Sequence, residues 1–511
     1  MQLTVSRLPI TLLQARVLLG TVFIIAACGL IYELIVGTLS SYLFGNSVAH
    51  FSITIGLFMS AMGIGSLLSR RVTGGVLAWF IVVEMTIGLV GGFSAAILNT
   101  VFATSNVYHI AMGVIILIIG SLIGMEIPLL TRILGGWEAL KDTLANVLAF
   151  DYLGALLAAI LFPIILLPYL GLMKTAFVTG LLNLVVVGVN LVLFRRHLPQ
   201  WPILTTAAVS IMALLLGGFI WANRLTTLFE QRLYKAEIIY TNQSPYQRII
   251  LTRWRDDLRL FLDGNLQFSS RDEYRYHEAL VHPAMSLSRS RESVLVLGGG
   301  DGLAAREIFK YPDVQRLVLV DLDPAMTGLG RTHPALLEIN QGAMHDPRLE
   351  IVNQDAFTYL AETSDLFGVI LIDLPDPNNE SLGKLYSREF YGLVQRHLAK
   401  GGVASSQATS PYFARETYWS IIHTARDTGL NVWPYHLYVP SFGDWGFFIA
   451  AEHALDPAEY APPVPLRYLT GDLFANSFIF DADTAEIETQ ISTLNNQIIL
   501  SYYEKGWRRW N

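Results

Sequence analysis

The sequence predicts a chain in two parts: an N-terminal α-helical polytopic membrane region, then a small antiparallel β-domain leading into a doubly wound α/β, Rossmann-like domain. Three observations carry that reading. Of 511 residues, 52% are hydrophobic and only 15% are charged, and the apolar excess lies before residue 223. Past residue 234 the hydrophobic pattern shortens to a period of two. From Val294 onward, apolar strand-like runs alternate with helical patterns, beginning at Val294-Leu-Val-Leu-Gly-Gly-Gly-Asp-Gly302. The implied domains are 1–223, 224–270, 271–481 and a helical tail over 482–511.

Seven apolar stretches, near 15–40, 51–69, 75–99, 107–131, 145–168, 172–194 and 203–222, are long enough to cross a bilayer as helices. The first is too long, and too closely followed by others, to be a cleaved signal peptide. If the spans alternate, Arg7, Arg16, Arg70, Arg71, Arg132, Lys141, Arg195 and Arg196 share one side and Lys174 alone takes the other. Basic residues favour the cytoplasmic side, so this bias predicts a multi-pass protein of the cell (inner) membrane with its N-terminus in the cytoplasm. Glu33, Glu84, Glu126 and Asp151 lie inside the spans with no Lys or Arg at similar depth. They read either as a cation site or conduit, or as carboxyls protonated or hydrogen-bonded between helices.

Composition excludes several classes. The single cysteine, Cys28, allows no disulfide framework and no thiolate metal site. A net charge of −7 without a basic stripe argues against nucleic acid as a partner. HExxH and GxSxG patterns are absent, so neither a metal nor a serine nucleophile is expected.

Residues 223–234 read as a mixed-charge connector. Strands follow at Glu237-Ile-Ile-Tyr-Thr, Gln247-Arg-Ile-Ile-Leu-Thr-Arg and Leu258-Arg-Leu-Phe-Leu, separated by turn-like Asn242-Gln-Ser-Pro, Arg255-Asp-Asp and Asp263-Gly-Asn. A helix is expected over 271–286. Beyond the glycines, strands are expected at 317–320, 349–352, 369–372, 403–406 and 445–450. Helices fit 303–310, 324–331, 356–362, 387–398 and 414–428, with an amphipathic helix near 484–503.

The chemistry sits where these strands end. Glycines such as Gly298 and Gly300 allow a tight strand-to-helix turn and close approach of a ligand to the backbone. About twenty residues on, Leu317-Val-Leu-Val ends at Asp321, placed to accept hydrogen bonds from the hydroxyls of a nucleoside ribose. Asp355 follows the third strand, where it can accept from an adenine amino group. Asp373-Leu-Pro-Asp376-Pro377 follows the fourth. Of two carboxylates three residues apart, one can bind an ammonium group while the other takes a proton from an attacking amine.

This combination resembles the polyamine aminopropyltransferases, the family of spermidine synthase, in its membrane-anchored bacterial branch. The resemblance covers roughly residues 234–481. It rests on Tyr246-Gln247, Leu262-Asp-Gly264 with Gln267, Arg271-Asp-Glu-Tyr, Tyr276-His-Glu278, the Gly298–Gly302 loop, Asp373-x-x-Asp376-Pro, Gln407, Pro440-Ser-Phe-Gly and Trp445-Gly-Phe447. It implies transfer of the aminopropyl group of decarboxylated S-adenosylmethionine, a co-substrate rather than a cofactor, to putrescine or another diamine. The products would be spermidine and methylthioadenosine. Asp373 would be the base, Asp376 an amine-binding partner, and Tyr276 would orient the amine. Gln247, Asp321, Asp355, Ala356, Gly298 and Gly300 would bind the donor. Asp301, His277 and Gln267 would line the polyamine site.

Three positions depart from the family pattern. Asp321 stands where Glu is usual, Asn379-Glu380 where Gly-Pro is usual, and Phe442 where the acceptor site usually has Tyr, so the acceptor is less defined than the transfer. A methyltransferase-type domain with methyltransferase activity shares the sheet and the ribose acid, but requires neither the paired Asp loop nor the Tyr-His-Glu helix. A polyamine transporter or sensor is the other alternative. Seven spans would put everything after Asn223 outside the cell, whereas the donor should be cytosolic. Either one stretch does not fully cross or the catalytic domain is extracytoplasmic, and both stay open, as does a homo-oligomer.

Overall fold

The computed structural model describes residues 11–44, 47–105, 107–135, 140–234 and 236–510, which form two compact units, 1–235 and 236–511. Arg7, part of the loop charge bias, lies outside the described residues.

The first unit is a bundle of α1 (Leu12–Phe44), α2 (Ser47–Leu68), α3 (Val76–Thr104), α4 (Tyr108–Leu134), α5 (Leu140–Leu161), α6 (Leu167–Leu193) and α7 (Trp201–Tyr234). Among the described residues, six helical runs are long and apolar enough to cross a membrane. The fifth, Lys141–Leu193, takes in two of the seven expected stretches, and its backbone leaves the helical conformation at Gly171, with φ 69° and ψ 175°. Two contacts order the helix ends. Arg132, at the end of α4, donates to the carbonyls of Val72 (2.7 Å) and Ser69 (2.8 Å), just beyond α2. Gln14, at the start of α1, donates to the carbonyl of Leu193 at the end of α6 (3.1 Å). The expected connector at 223–234 is instead the last three turns of α7. Its Leu225 and Phe229 pack on the bundle core, which keeps the helix going.

The second unit opens with an antiparallel sheet of four strands, not the expected three: β1 (Glu237–Gln243), β2 (Arg248–Trp254), β3 (Asp257–Leu262) and β4 (Asn265–Ser269). β4 escapes sequence reading because it follows Asp263-Gly264 at once and looks like more turn. The sheet is not a free-standing domain. Ile249, Leu251, Leu260 and Phe268 share one core with Met326, Leu329 and Leu336 of the following domain.

Then come α8 (Glu273–Leu287), β5 (Ser293–Gly298), α9 (Leu303–Ile308), β6 (Arg316–Val320), α10 (Pro324–Thr332), α11 (Pro334–Ile339), β7 (Leu349–Val352), α12 (Ala356–Glu362) and β8 (Phe367–Asp373). They are followed by α13 (Glu380–Gly383), α14 (Arg388–His397), β9 (Leu398–Gln407), α15 (Arg415–Arg426), β10 (Asn431–Val439), β11 (Gly443–Ala451), α16 (Gly471–Asn476) and α17 (Ile498–Trp507). The seven-stranded sheet has the order β10-β11-β9-β8-β5-β6-β7. The five strands from β9 to β7 are parallel, as expected, while β10 and β11 close one edge as an antiparallel hairpin. β10 was hidden by Pro434, a residue that only an edge strand tolerates.

β5 shows how the sheet is held. Val294 and Val296 enter one apolar core and Leu295 and Leu297 the other, so both faces are covered. The chain runs outward from β5 through β6 to β7, then returns to β8 on the other side of β5. Strand order therefore reverses between β5 and β8, and a crevice forms beyond their carboxyl ends.

The tail corrects the expected helix over 484–503: only Ile498–Trp507 is helical. The segment before it is tied to α15. Trp419 donates to the Thr484 carbonyl (2.9 Å), Ser420 to that of Gln490 (2.8 Å), and the Ser492 amide donates to Thr424 (2.9 Å). Those tertiary bonds take up backbone groups a helix would need.

Candidate active site

Gly298 and Asp373 end β5 and β8 side by side, in register. Gly298 has φ 90°, and a Cβ there would stand 1.9 Å from the Asp373 carbonyl oxygen, so only glycine fits. A Cβ on Gly300 would meet Asp321 Oδ2 at 2.5 Å; instead the Gly300 amide donates to that oxygen at 3.0 Å. The loop thus lies close against two of the strand-end carboxylates.

Asp373 Oδ1 accepts a hydrogen bond from the Tyr276 hydroxyl at 2.7 Å, joining α8 to the end of β8. The Tyr276 ring is wedged between Phe447 (5.3 Å between centroids) and Phe442 (6.0 Å), which sets where its hydroxyl points. Burial, then the Asp373 charge, hold that hydroxyl well above its usual range, so it stays a donor.

Asp376, in the loop after β8, accepts at Oδ2 from the Thr409 hydroxyl (2.9 Å) and keeps Oδ1 buried without a partner, with Tyr503 of α17 and Gln407 nearby. Burial pushes its carboxyl up to about 6. Beneath the loop, Gln407 donates to the Leu374 carbonyl (2.6 Å) and Tyr386 to that of Pro375 (2.9 Å). These two side chains fix the position of both acids.

Asp301 caps the start of α9 through the Leu303 amide (2.9 Å). Burial and the neighbouring Asp373 raise it to about 6, against the pull of His277. Asp321, held by the Gly300 and Asp323 amides, is likewise raised to about 6, chiefly by burial. Gln247 reaches this side from the small sheet: it donates to Asp323 Oδ2 (3.0 Å), which also accepts from Ser244 (2.7 Å).

His277 is the cation among these acids. Its Nδ1 faces the Glu273 carbonyl (2.8 Å) and carboxylate (2.9 Å). Burial lowers its basicity, but Glu273, Asp373 and Asp301 outweigh burial and raise it to about 9. Glu273 is itself clamped at both oxygens by Arg306 (2.9 Å each). Arg306 also reaches Glu307 (2.9 Å), which pairs with His282 (2.8 Å) and Lys310 (2.5 Å). Sequence reading missed this chain of charges, although Arg306-Glu307 stands in the helix that follows the glycine loop.

Two expected residues lie apart from the cluster. Asp355 caps α12 through the Thr358 amide (3.0 Å) and pairs with Lys384 (2.7 Å). Burial raises its carboxyl, but Lys384 and Thr358 outweigh that and leave it below its usual range. Lys384 is brought there by α13, whose cap is Asn379, accepting from the Leu382 amide (3.0 Å) at one of the departures from the family pattern. Ala356 is buried at the first position of α12. Gln267 donates only to the Asn265 carbonyl (3.1 Å), so no hydrogen bond ties it to the acids. Among the described residues no group of three His, Cys, Asp or Glu is arranged to hold a metal ion.

A sheet with its order reversed at the glycine loop, and carboxylates crowding the adjacent strand ends, defines a doubly wound α/β domain with an acidic crevice at its switch point. The model of the spermine/spermidine synthase domain matches residues 273–458. A polyamine aminopropyltransferase of Ralstonia nicotianae is 48% identical over 497 residues, covering 95% of this chain and 97% of its own. One of Leptospira interrogans is 44% identical over 495 residues, with 96% and 98% covered. A solved spermidine synthase from Thermotoga maritima overlaps 48% of this chain and 85% of its own at 27% identity, with a TM-score of 0.45. The chain belongs to the polyamine aminopropyltransferases and is a transferase.

Proposed function

We propose that the protein transfers the aminopropyl group of decarboxylated S-adenosylmethionine to putrescine, giving spermidine and methylthioadenosine. The observation that carries this reading is the Tyr276–Asp373 hydrogen bond set among Asp301, Asp376 and His277. The amine nitrogen attacks the methylene beside the donor's sulfonium, the carbon–sulfur bond breaks, and its electron pair stays on sulfur. Asp373, steadied by Tyr276, takes the proton that the attacking nitrogen must lose. Asp376 and Asp301 hold ammonium groups at either end of the reacting pair. Asp321, Gln247, Asp355, Ala356 and the glycine loop hold the nucleoside. Placement matters as much as charge, because in-line displacement needs nitrogen, carbon and sulfur aligned. Phe442, beside Tyr276, keeps that wall of the acceptor pocket without a hydroxyl.

The test is an assay with this donor and a panel of diamines, following methylthioadenosine by mass spectrometry. Putrescine should give an equimolar aminopropylated product. Exclusive use of a longer amine would reject putrescine, and S-adenosylhomocysteine formed from S-adenosylmethionine would reject the reaction.

The first unit is read as lying in a bilayer: Val192, Ile203, Val209 and Ile220 are each more than 60% exposed on its helices. We count seven crossings. The break at Gly171 lets 141–193 cross twice, and the Gln14–Leu193 and Arg132–Ser69 contacts support alternating helices. The basic end then faces the cytoplasm and the chain leaves the bundle at the opposite end, so on this reading the proposed transfer requires its cytosolic donor to be supplied across the membrane. Labelling of Ala475→Cys by an impermeant maleimide in sealed cells should therefore proceed. Labelling only after lysis would reverse the orientation.

A further inference from the structure

Deep in the first unit lies a group of polar side chains that aminopropyl transfer does not use. Glu84 of α3 is fully buried and Glu126 of α4 is 5% exposed. The two carboxyls interact with each other, and no basic side chain acts on either. Asn183 of α6 donates its amide to Glu84 Oε2 at 3.3 Å. Around this contact, Glu84 Oε1, Glu126 Oε1 and Asn183 Oδ1 are buried without partners. The hydroxyl of Tyr32, on α1, is also buried and unpartnered, and the charge of both carboxyls acts on it. Glu84 and Asn183 meet directly, and Glu126 and Tyr32 bring two further helices to bear on them.

Packing does not account for it. Apolar side chains of like volume would hold these helices without the cost of desolvating two carboxyls. What remains unsatisfied consists of two carboxyl oxygens, an amide oxygen and a phenolic oxygen, all of which can accept. The fitting occupant is a donor carrying positive charge, and a primary ammonium brings three N–H donors with a single charge. Against one such charge, one carboxyl is ionised and the other stays protonated, because two carboxylates side by side repel.

We propose that Glu84, Glu126, Asn183 and Tyr32 form a second amine site, inside the membrane unit, for the ammonium end of a diamine or polyamine. The choice of an amine over an alkali cation rests on the reading of the second unit as an enzyme of cationic amines.

The experiment uses the full chain in detergent, with dicyclohexylcarbodiimide as a probe of buried protonated carboxyls and peptide mass spectrometry to locate the adduct. Glu84 or Glu126 should be labelled. Putrescine or spermidine at about ten times its dissociation constant should slow labelling about tenfold, while sodium chloride of equal ionic strength should not. The double variant Glu84→Gln, Glu126→Gln should lose the adduct. Asn183→Leu, which keeps both acids, should lose most of the protection. Asp373→Asn should keep it, since protection does not depend on turnover. No adduct, or equal labelling with and without amine, overturns the site, and protection by sodium alone overturns the choice of ligand. Methylthioadenosine release from the same preparation separates the two readings. Transfer without protection sinks the membrane site only, and protection without transfer sinks the aminopropyl reading only.

Discussion

Two sets of acids in the second unit meet at His277, which faces Glu273 of one and acts on Asp301 of the other, and the two sets are treated oppositely. Glu273 and Glu307 are each held by Arg306, with His277 also on the first and Lys310 and the His282 ring on the second. That pairing outweighs burial, leaving Glu307 at about 2 and Glu273 below its usual range. Asp301, Asp321 and Asp376 are partly exposed at the crevice, yet among the described residues no Lys or Arg pairs with them, and burial raises each to about 6. Paired acids hold the framework, whereas on the proposed function the unpaired ones receive a ligand's charge or hydroxyls. The pair of Glu84 and Glu126 in the first unit belongs with the second kind.

The largest expected effect falls on the unpaired side. Asp373→Asn should lower kcat by about a hundred- to ten-thousandfold, with donor binding by calorimetry little changed. Full activity would remove Asp373 as the base.

On the paired side, Arg306→Met leaves Glu273 with His277 alone and Glu307 with Lys310 and His282. It should cost about 1.5–3 kcal/mol, read as a fall in the thermal unfolding midpoint of the second unit. If stability were unchanged, the framework role would be lost.

The pH dependence separates the two sets. Donor binding should weaken below about pH 6, as Asp301 and Asp321 take up protons. His277→Asn removes the cation that pulls Asp301 down, so the weakening should begin at higher pH; an unmoved profile would uncouple them. For stability the sign is opposite. His277 is raised to about 9, so its contribution is complete below about 6.5 and fades as pH rises through 9. Unfolding midpoints measured from pH 6 to 10 should show that loss in the native protein and not in the variant.

Lys384→Met tests the marginal case, a half-exposed pair at Asp355. Donor affinity should change by less than about fivefold with kcat unchanged. A larger change would make Lys384 a binding residue beside Asp355.

Periodicity made most of the architecture legible. The apolar stretches, the parallel strands and the glycine turn follow from local rules, because burial on one or both faces writes itself into spacing along the chain. β4, β10 and the tail broke those rules, since a turn-like start, an edge proline and bonds to α15 decide them from outside the segment.

The site divides the same way. By itself the sequence determined which acids stand at strand ends, since Asp301, Asp321, Asp355, Asp373 and Asp376 each follow an apolar run. Only the tertiary structure decided which of them go unpaired. It brought Lys384 to Asp355, Tyr503 beside Asp376 from 127 residues further on, and Arg306 between Glu273 and Glu307. A carboxylate's charge state is set by what lies within a few ångströms in space, and sequence distance does not record that.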